Sequence, residues 1–566
     1  MNARKMLAGA FIVMLGMGMT SFKEDDRNFQ ISKNLDIFNS IFKELDLFYV
    51  DTVNAEKMIQ TGVEGMLSLT DPYTEYYPEE EVSSLKEMTT GKYGGIGAAI
   101  RYYEAKDRIA VVEPTEGMPA AEAGVKAGDI ILSVGGKEMV RGDMKPQEFS
   151  SKVSEALRGE PGTSFVLKVL RPLKNDSTVM EFKITRKNIR TNPVPYYGMV
   201  KDSIGYLALS SFTENSAKDF KKAFIELKQK GAKSLIIDLR DNGGGSLSEA
   251  VDIVNLYVPK GQEIVVTKGK VRQAQGSYKT QNEPVDTQIP LAVLVNGATA
   301  SASEIVSGSL QDLDRAVGKG LVQTIRPLPY NGTLKVTTSK YYIPSGRCIQ
   351  AIDYAKKNAD GSVARTPDSL TTVFHTAAGR EVRDGGGIRP DIEVKGDKIP
   401  NIVFYLMNDD LIFDYATQYC WDHPTLASVD DFKLTDADYE AFKKLVKSRN
   451  FTYDRQSEKM LKSLKEIAEF EGYMTEAAEE FKALEKKLNH NLDRDLDYFA
   501  KPIKEYISQE IVTRYFYQRG AAMERLKDDT DLEEAIKVLQ NPVRYREILS
   551  APVKKDEPAK KEETKK

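Results

Sequence analysis

Histidine is almost missing from this sequence. His375, His423 and His490 are the only three in 566 residues, and none stands beside a plausible partner motif. A histidine-held zinc centre or a Ser-His-Asp triad would have to draw on them, so imidazole chemistry is excluded as the expected route. Cysteine is nearly as scarce. Cys348 and Cys420 are the only two, too few for a disulfide framework or a CxxC metal site, and nothing in the sequence supports a bridge between them. A basic excess is absent too: 80 Lys and Arg against 84 Asp and Glu leave a formal charge of −4, which argues against nucleic-acid binding. Beyond the N-terminus, no apolar run is long enough to cross a membrane. What remains is ordinary for globular protein, with 41% hydrophobic and 29% charged residues. At roughly 150 residues per domain, the length predicts about three or four domains.

The two ends differ from the rest. Arg4 and Lys5 precede an apolar stretch from Met6 to Met19, and Lys23-Glu24-Asp25-Asp26 stops it. Residues 1–22 therefore read as a signal peptide or an N-terminal membrane anchor; the small-residue cleavage pattern is weak, which keeps both open. Export to the periplasm or cell envelope follows, with anchoring to the inner membrane by the N-terminus as the second form. Residues 551–566, a run of Lys, Glu, Ala and Pro, read as a disordered charged tail.

Between the ends the texture changes several times. Residues 28–88 predict helices, with Leu35, Phe38, Ile41, Phe42 and Leu45 near helical spacing and Asp71-Pro72 ending a second helix. This piece is too small for a large core of its own and is expected to pack on a neighbour or a second subunit. Residues 89–190 turn to short β runs and glycine turns, with one helix at Pro146 to Arg158. The Gly95-x-Gly97 pair lacks the third glycine and the βαβ unit of a dinucleotide site. Residues 195–400 alternate β and α. The run Ser234-Leu235-Ile236-Ile237-Asp238 is continuously apolar at its centre, as a strand buried on both faces requires. Residues 401–550 are helix-rich and charge-interleaved, without a catalytic constellation, and read as packing or partner surface.

Chemistry concentrates in two turns and a lysine. Asp241-Asn242-Gly243-Gly244-Gly245 follows a buried strand, and glycines there let backbone amides crowd a bound group, although many such turns are only turns. Asn296-Gly297-Ala298-Thr299-Ala300-Ser301-Ala302-Ser303-Glu304 joins another buried strand to a helix. A serine at that junction sits where helix amides stabilise negative charge; helix capping by Ser301 or Ser303 is the plainer use of the same residues. Lys319, in Gly318-Lys319-Gly320-Leu321-Val322-Gln323, is no phosphate-loop lysine, because Gly320 fills the Ser/Thr position. Shielded from water, it would lose its charge and serve as a base; exposed, it is a surface lysine.

The chain resembles the C-terminal processing peptidases, the tail-specific protease family with a Ser/Lys dyad and a PDZ domain. The resemblance runs from about 30 to 395. It rests on Tyr49-Val50-Asp51, Leu69-Thr70-Asp71-Pro72, Tyr93-Gly94-Gly95-Ile96-Gly97-Ala98, Asp238-Leu239-Arg240-Asp241-Asn242-Gly243-Gly244-Gly245 and Ser301-Ala302-Ser303-Glu304. It continues through Leu310-Gln311-Asp312, Gly318-Lys319-Gly320-x-Val322-Gln323, Tyr342-x-Pro344-x-Gly346-Arg347 and Gly387-Ile388-x-Pro390-Asp391. The resemblance implies a multidomain α/β fold: a crotonase-like protease core over 195–400 with an inserted PDZ β-domain over 89–190, an N-terminal helical segment and a helical C-terminal region. By the same resemblance Ser301 is the nucleophile, Lys319 the general base and Gln323 the residue that orients the lysine. Backbone amides of Gly244 (or Gly243) and Ala302 form the oxyanion hole. Gly95, Ile96, Gly97 and Ala98 take the terminal carboxylate of a peptide or protein substrate, which lies beside them as an added strand. No cofactor and no metal are implied, and the helical ends are candidate sites for homo-oligomer formation. Peptide capture is expected to switch the site on, with Arg158 as the residue to test for that coupling.

One departure bears on activity. The family usually has several more residues between Arg315-Ala316-Val317 and Gly318-Lys319-Gly320, whereas here Ser301 and Lys319 are 18 positions apart. A helix from Ala302 to Leu313 carries the chain about 18 Å from the serine, and six extended residues return at most about 20 Å. Two readings follow: a serine endopeptidase with a tight catalytic segment, or a catalytically impaired peptide-binding scaffold of the same fold. An acyl-thioester enzyme of the crotonase type is a third, disfavoured by the PDZ motifs and by Ser301.

Overall fold

The computed structural model describes residues 3–71, 74–174, 176–315, 322–327, 333–348, 371–385, 387–395, 399–488 and 491–550. Two compact units compose it, residues 1–78 with 324–337 and residues 79–323 with 338–566. The smaller holds the helices Ala3–Phe48 and Ala55–Leu67, the second started by Asn54, whose Oδ1 accepts the Lys57 N–H at 2.9 Å. The expectation of helix throughout 28–88 fails at Glu75–Tyr77, a strand paired antiparallel with Thr333 to Lys335. Aromatic residues suit such a pleated surface, and their partner strand is too distant in sequence to be foreseen. Residues 79–88 belong to the larger unit.

In the larger unit, a β-domain is built on a sheet ordered Ala98–Tyr103, Arg108–Pro114, Ile130–Val134, Ser164–Pro172 and Ser177–Thr185, all antiparallel. The helix Pro146–Leu157 turns Phe149, Val153 and Leu157 into its core at i, i+4 and i+8, one helical face. Proline at the first helical position explains where it starts.

The central layer is a four-stranded sheet, Tyr197–Lys201, Ile204–Ala208, Ser234–Asp238 and Leu291–Leu294, of which the last three run parallel. Leu235 and Ile237 join the main core with Phe220, Phe224, Val254 and Ile305, whereas Ile236 packs with Leu532, Ala535 and Leu539 of the helix Thr530–Leu539. The unbroken apolar run is thereby explained: both faces of the strand are covered, one by a helix some 300 residues downstream. The helices Ser216–Gln229, Leu247–Val254 and Ala302–Asp312 alternate with these strands, the last starting at the Ala302 expected from the sequence. The strands Glu263–Gly269, Gly276–Lys279 and Thr333–Tyr342 were not legible in the sequence.

From 399 onward the described chain is helical, with a core of its own around Leu406, Phe442, Ile503 and Ile507. The helix Ala500–Arg525 breaks at Tyr517, whose φ is 54°. Among the described residues no helix is long and apolar enough to cross a membrane.

Candidate active site

Ser234–Asp238 and Leu291–Leu294 are parallel neighbours, so the turns that follow them emerge at the same sheet edge, the usual place for a site in such sheets. The two turns are tied together. Asn296 Nδ2 donates to Asp241 Oδ1 at 2.8 Å, and the Asp241 N–H donates to Asn296 Oδ1 at 3.0 Å. Thr299 Oγ1 donates to the Leu239 carbonyl at 2.8 Å. The carbonyl of Asn242 accepts from the Ala300 N–H and from Ser303 Oγ, each at 3.0 Å.

Ser301 occupies the N-cap of the helix Ala302–Asp312 with φ 54° and ψ −117°, a left-handed backbone that a serine rarely adopts. Glu304, buried one turn on, accepts the Ser301 N–H at 2.7 Å and holds this conformation. Ser303 is fully buried on the Asn242 carbonyl, which leaves Ser301 as the half-buried serine of the pair. Tyr341, also buried, hydrogen-bonds the Ser301 side chain, and burial pushes its phenol up. Sequence reasoning missed Tyr341, although it directly precedes the Tyr342 motif.

Gly244 packs against the serine. A Cβ there would stand 2.6 Å from Ser301 Cβ and 2.8 Å from the Ala302 nitrogen, and its φ of 99° independently calls for glycine. Ser301, Gly244 and Ala302 are therefore brought together. The Gly244 N–H itself donates to Asn242 Oδ1 at 2.9 Å, while Asn242 Nδ2 donates to the Leu209 carbonyl at 2.7 Å. Lys319 falls outside the described residues. Gln323 lies in the strand Val322–Pro327, and its side chain is likewise outside the described set.

The far end of the Ser301 helix is fixed by buried charge. Arg347, 1% exposed, pairs with Asp312 at 2.8 Å and donates to Gln311 Oε1 at 2.7 Å. Arg380 holds Asp314 at 2.7 Å and Asp391 at 2.5 Å. Burial raises the carboxyls of Asp312 and Asp391 and lowers the Arg347 guanidinium; their mutual attraction opposes each shift. At the other turn, Arg240 joins Asp238 at 2.6 Å to Asp529 at 2.5 Å, linking the 239–245 turn to the C-terminal helices.

In the β-domain, Ile96 and Gly97 link the strand Lys92–Gly95 directly to the strand Ala98–Tyr103. Ile96 is buried, and its carbonyl accepts the Ala120 N–H at 2.9 Å. Gly97 has φ 67°, and a Cβ there would lie 2.4 Å from Met118 Cβ. Among the described residues the strand Ala98–Tyr103 pairs on one side only, and the helix Pro146–Leu157 packs beside it. An edge strand with a flanking helix is what an added peptide strand needs. Arg158, just past that helix, pairs with Glu87 and lies 4.9 Å over the Tyr93 ring, next to the link. Among the described residues no group of three or more His, Cys, Asp or Glu converges as a metal site.

Comparison with known proteins gives three family matches: peptidase family S41 over residues 203–356, a PDZ domain over 111–171, and the C-terminal helical domain of probable PDZ-proteases over 402–539. A carboxy-terminal-processing protease of Bartonella bacilliformis is 34% identical over 361 residues, 61% of this chain and 79% of that protein. A probable CtpA-like serine protease of Staphylococcus haemolyticus is 34% identical over 319 residues, and the match spans 61% of its length. Among solved structures, a photosystem II D1 C-terminal processing protease is 27% identical with a TM-score of 0.31, covering 55% of this chain and 89% of that one.

Proposed function

The chain belongs to the carboxy-terminal-processing proteases of peptidase family S41, and from that membership we propose that it is a serine endopeptidase that captures protein C-termini in its PDZ domain and cleaves with a Ser301/Lys319 dyad. The observation that carries the reading is the strained Ser301 at a helix N-terminus with Gly244 pressed against it. In this dyad Lys319 is the general base that takes the Ser301 hydroxyl proton, and Gln323 is the residue that orients it. Oγ attacks the scissile carbonyl carbon, and amides of Ala302 and of Gly244 or Gly243 receive the oxyanion. Collapse expels the amine with the proton from Lys319, and water then releases the acyl group from Ser301. The Gly244 amide must first leave Asn242 Oδ1 if it is to serve, whereas Gly243 carries no such tie among the described bonds. The core on which this rests is crotonase-like, its oxyanion donors drawn from turns that follow parallel strands.

The substrate's terminal carboxylate meets the Gly95–Ala98 link, and its backbone extends the Ala98–Tyr103 edge. The protein acts outside the cytoplasm, in the periplasm or cell envelope, exported or anchored through residues 1–22. Fractionation of the producing cell, with sequencing of the mature N-terminus, tests this; full-length chain in the cytosol overturns it.

The deciding experiment is mass spectrometry of an unfolded protein incubated with the chain from Lys23 onward, beside its Ser301→Ala and Lys319→Ala variants. Cleavage by the parent that both variants lose supports the dyad. No cleavage, with C-terminal peptides still bound, instead selects the impaired scaffold that the 18-residue spacing suggests.

A further inference from the structure

Each of the two turns at the sheet edge contains a non-glycine residue with left-handed backbone, Asp241 at φ 60° and Ser301 at φ 54°. Such backbone persists only where its surroundings enforce it. Asn296 and Glu304 brace the turns from within. A second brace comes from the C-terminal helices. Arg240, the residue before Asp241, lies among three carboxylates. Its Nη2 donates to Asp238 Oδ2 at 2.6 Å and to Asp529 Oδ2 at 2.5 Å. Its Nη1 donates to Asp529 Oδ1 at 3.0 Å and to Asp531 Oδ2 at 3.1 Å. The grip of Asp529 is thus bidentate, which fixes a guanidinium in angle as well as in place. Asp529 is itself held, because its Oδ1 also accepts the Leu532 N–H at 2.9 Å and starts the helix Thr530–Leu539.

The next helix, Pro542–Ile548, reaches the neighbouring strand. The Tyr545 hydroxyl accepts the Leu291 N–H at 2.9 Å and donates to the Leu291 carbonyl at 3.2 Å. Between these polar contacts, Leu532, Ala535 and Leu539 pack with Ile236 and Leu294. One surface of the C-terminal region therefore holds both strands from which the turns at 239–245 and 296–304 emerge. Apolar contact alone would attach these helices; the charged cluster sits instead at the root of the glycine turn. We propose that Asp529, acting through Arg240, is a positioning residue for the glycine turn and Tyr545 its counterpart for the Ser301 turn, so that the site is fully formed only while the helices over 530–548 are docked. The catalytic meaning of this clamp rests on the proposed serine chemistry, whereas its hold on the turns does not.

Asp529→Asn tests the clamp, because asparagine still caps the helix while the carboxylate charge on Arg240 is lost. Amide hydrogen exchange of the full chain, read by mass spectrometry, should rise at least tenfold over 239–245 and match the parent over 98–114 of the β-domain. Tyr545→Phe should have the same effect over 296–304. The control is Arg544→Gln, which breaks a pair with Glu534 between the same two helices. Among the described residues Arg544 makes no bond to either strand, and both turns should stay protected in this variant. In cleavage of a C-terminally tagged protein, Asp529→Asn should lower kcat at least tenfold with KM unchanged. Arg240→Gln with Asp529→Asn should cost no more than Arg240→Gln alone, as residues acting through one contact must. Unchanged exchange at the matching turn, a rise spread evenly over the chain, a loss carried by KM, or additive losses in the double variant would each overturn the proposal. A parent that cleaves nothing would count against the Ser301/Lys319 reading, and the exchange comparison would still decide the clamp.

Discussion

The carboxylate of Glu304 accepts the main-chain N–H of Ser301 at 2.7 Å, and this bond holds the proposed nucleophile at its left-handed φ of 54°. Strain of this kind costs on the order of 1–3 kcal/mol and persists only where the surroundings enforce it. Removing the acceptor should let Ser301 relax out of its attacking position. Glu304→Ala is expected to lower kcat by about ten- to hundredfold, the equivalent of a lost buried hydrogen bond, with KM little changed. Glu304→Gln keeps an oxygen acceptor and should recover most of the rate. Peptidase kinetics on one C-terminally tagged substrate check both; a matching fall in KM-type binding would point to a general structural defect.

Gly244 offers a sharper test of the turn. An alanine there meets Ser301 Cβ, the Ala302 nitrogen and the Ala300 carbonyl, all within 2.8 Å, and must hold φ 99°. The left-handed backbone alone costs about 1–2 kcal/mol, and relief of the clash must move the Ser301 turn. Gly244→Ala is expected to fold, to bind C-terminal peptides through the β-domain, and to lose cleavage by at least a hundredfold. Gly243, where a Cβ meets nothing within 4 Å, is the control. Gly243→Ala keeps the backbone N–H proposed for the oxyanion and meets no neighbouring atom, so it should cost at least tenfold less cleavage than Gly244→Ala.

Much of this site could be read from local pattern. The apolar runs at 234–238 and 291–294, the glycine turn at 241–245 and the small-residue approach to Ser301 each reflect near-neighbour constraints, and the structure places them as neighbours. What could not be read depends on partners far apart in sequence. Tyr341 reaches Ser301 from a strand whose pairing with 266–269 no periodicity announces. Arg240 directly precedes the glycine turn in sequence, yet its guanidinium is held by Asp529, some 290 residues on. Ile236 belongs to an apolar run whose second covering layer is a helix from the other end of the chain.

Arg347 and Asp312 form an ion pair with side chains 2% and 0% exposed, braced by Gln311 and the Ser345 N–H. Burial disfavours both charges, so each depends on the other to remain ionised. Arg347→Ala leaves a buried carboxylate alone and is expected to cost about 3–5 kcal/mol, visible as a lower Tm and denaturation midpoint. Arg347→Met with Asp312→Leu removes both charges and should recover part of the loss. If the double variant is no more stable than Arg347→Ala, the pair does not act as a unit.

Glu113 makes stability depend on pH near neutrality. It lies on the strand Arg108–Pro114 and accepts backbone and side-chain hydrogen bonds from Gln518, the residue after the break at Tyr517. Burial, with the like charge of Glu510 added, pushes its carboxyl up to about 7; the Gln518 bonds pull the other way. Glu510 is itself paired with Arg514 at 2.7 Å, which moderates its repulsion. A carboxyl whose pKa rises on folding keeps a proton in the native state that the unfolded chain has released. From about pH 4.5 to about 7 the native protein therefore binds more protons, and this group's contribution to stability falls as pH rises. Above the folded value the loss is complete and the dependence flattens. Glu113→Gln removes the titration while keeping an acceptor for Gln518, so Tm plotted against pH over that window should decline less steeply than in the parent. Parallel curves for the two proteins would show that Glu113 titrates no differently folded than unfolded.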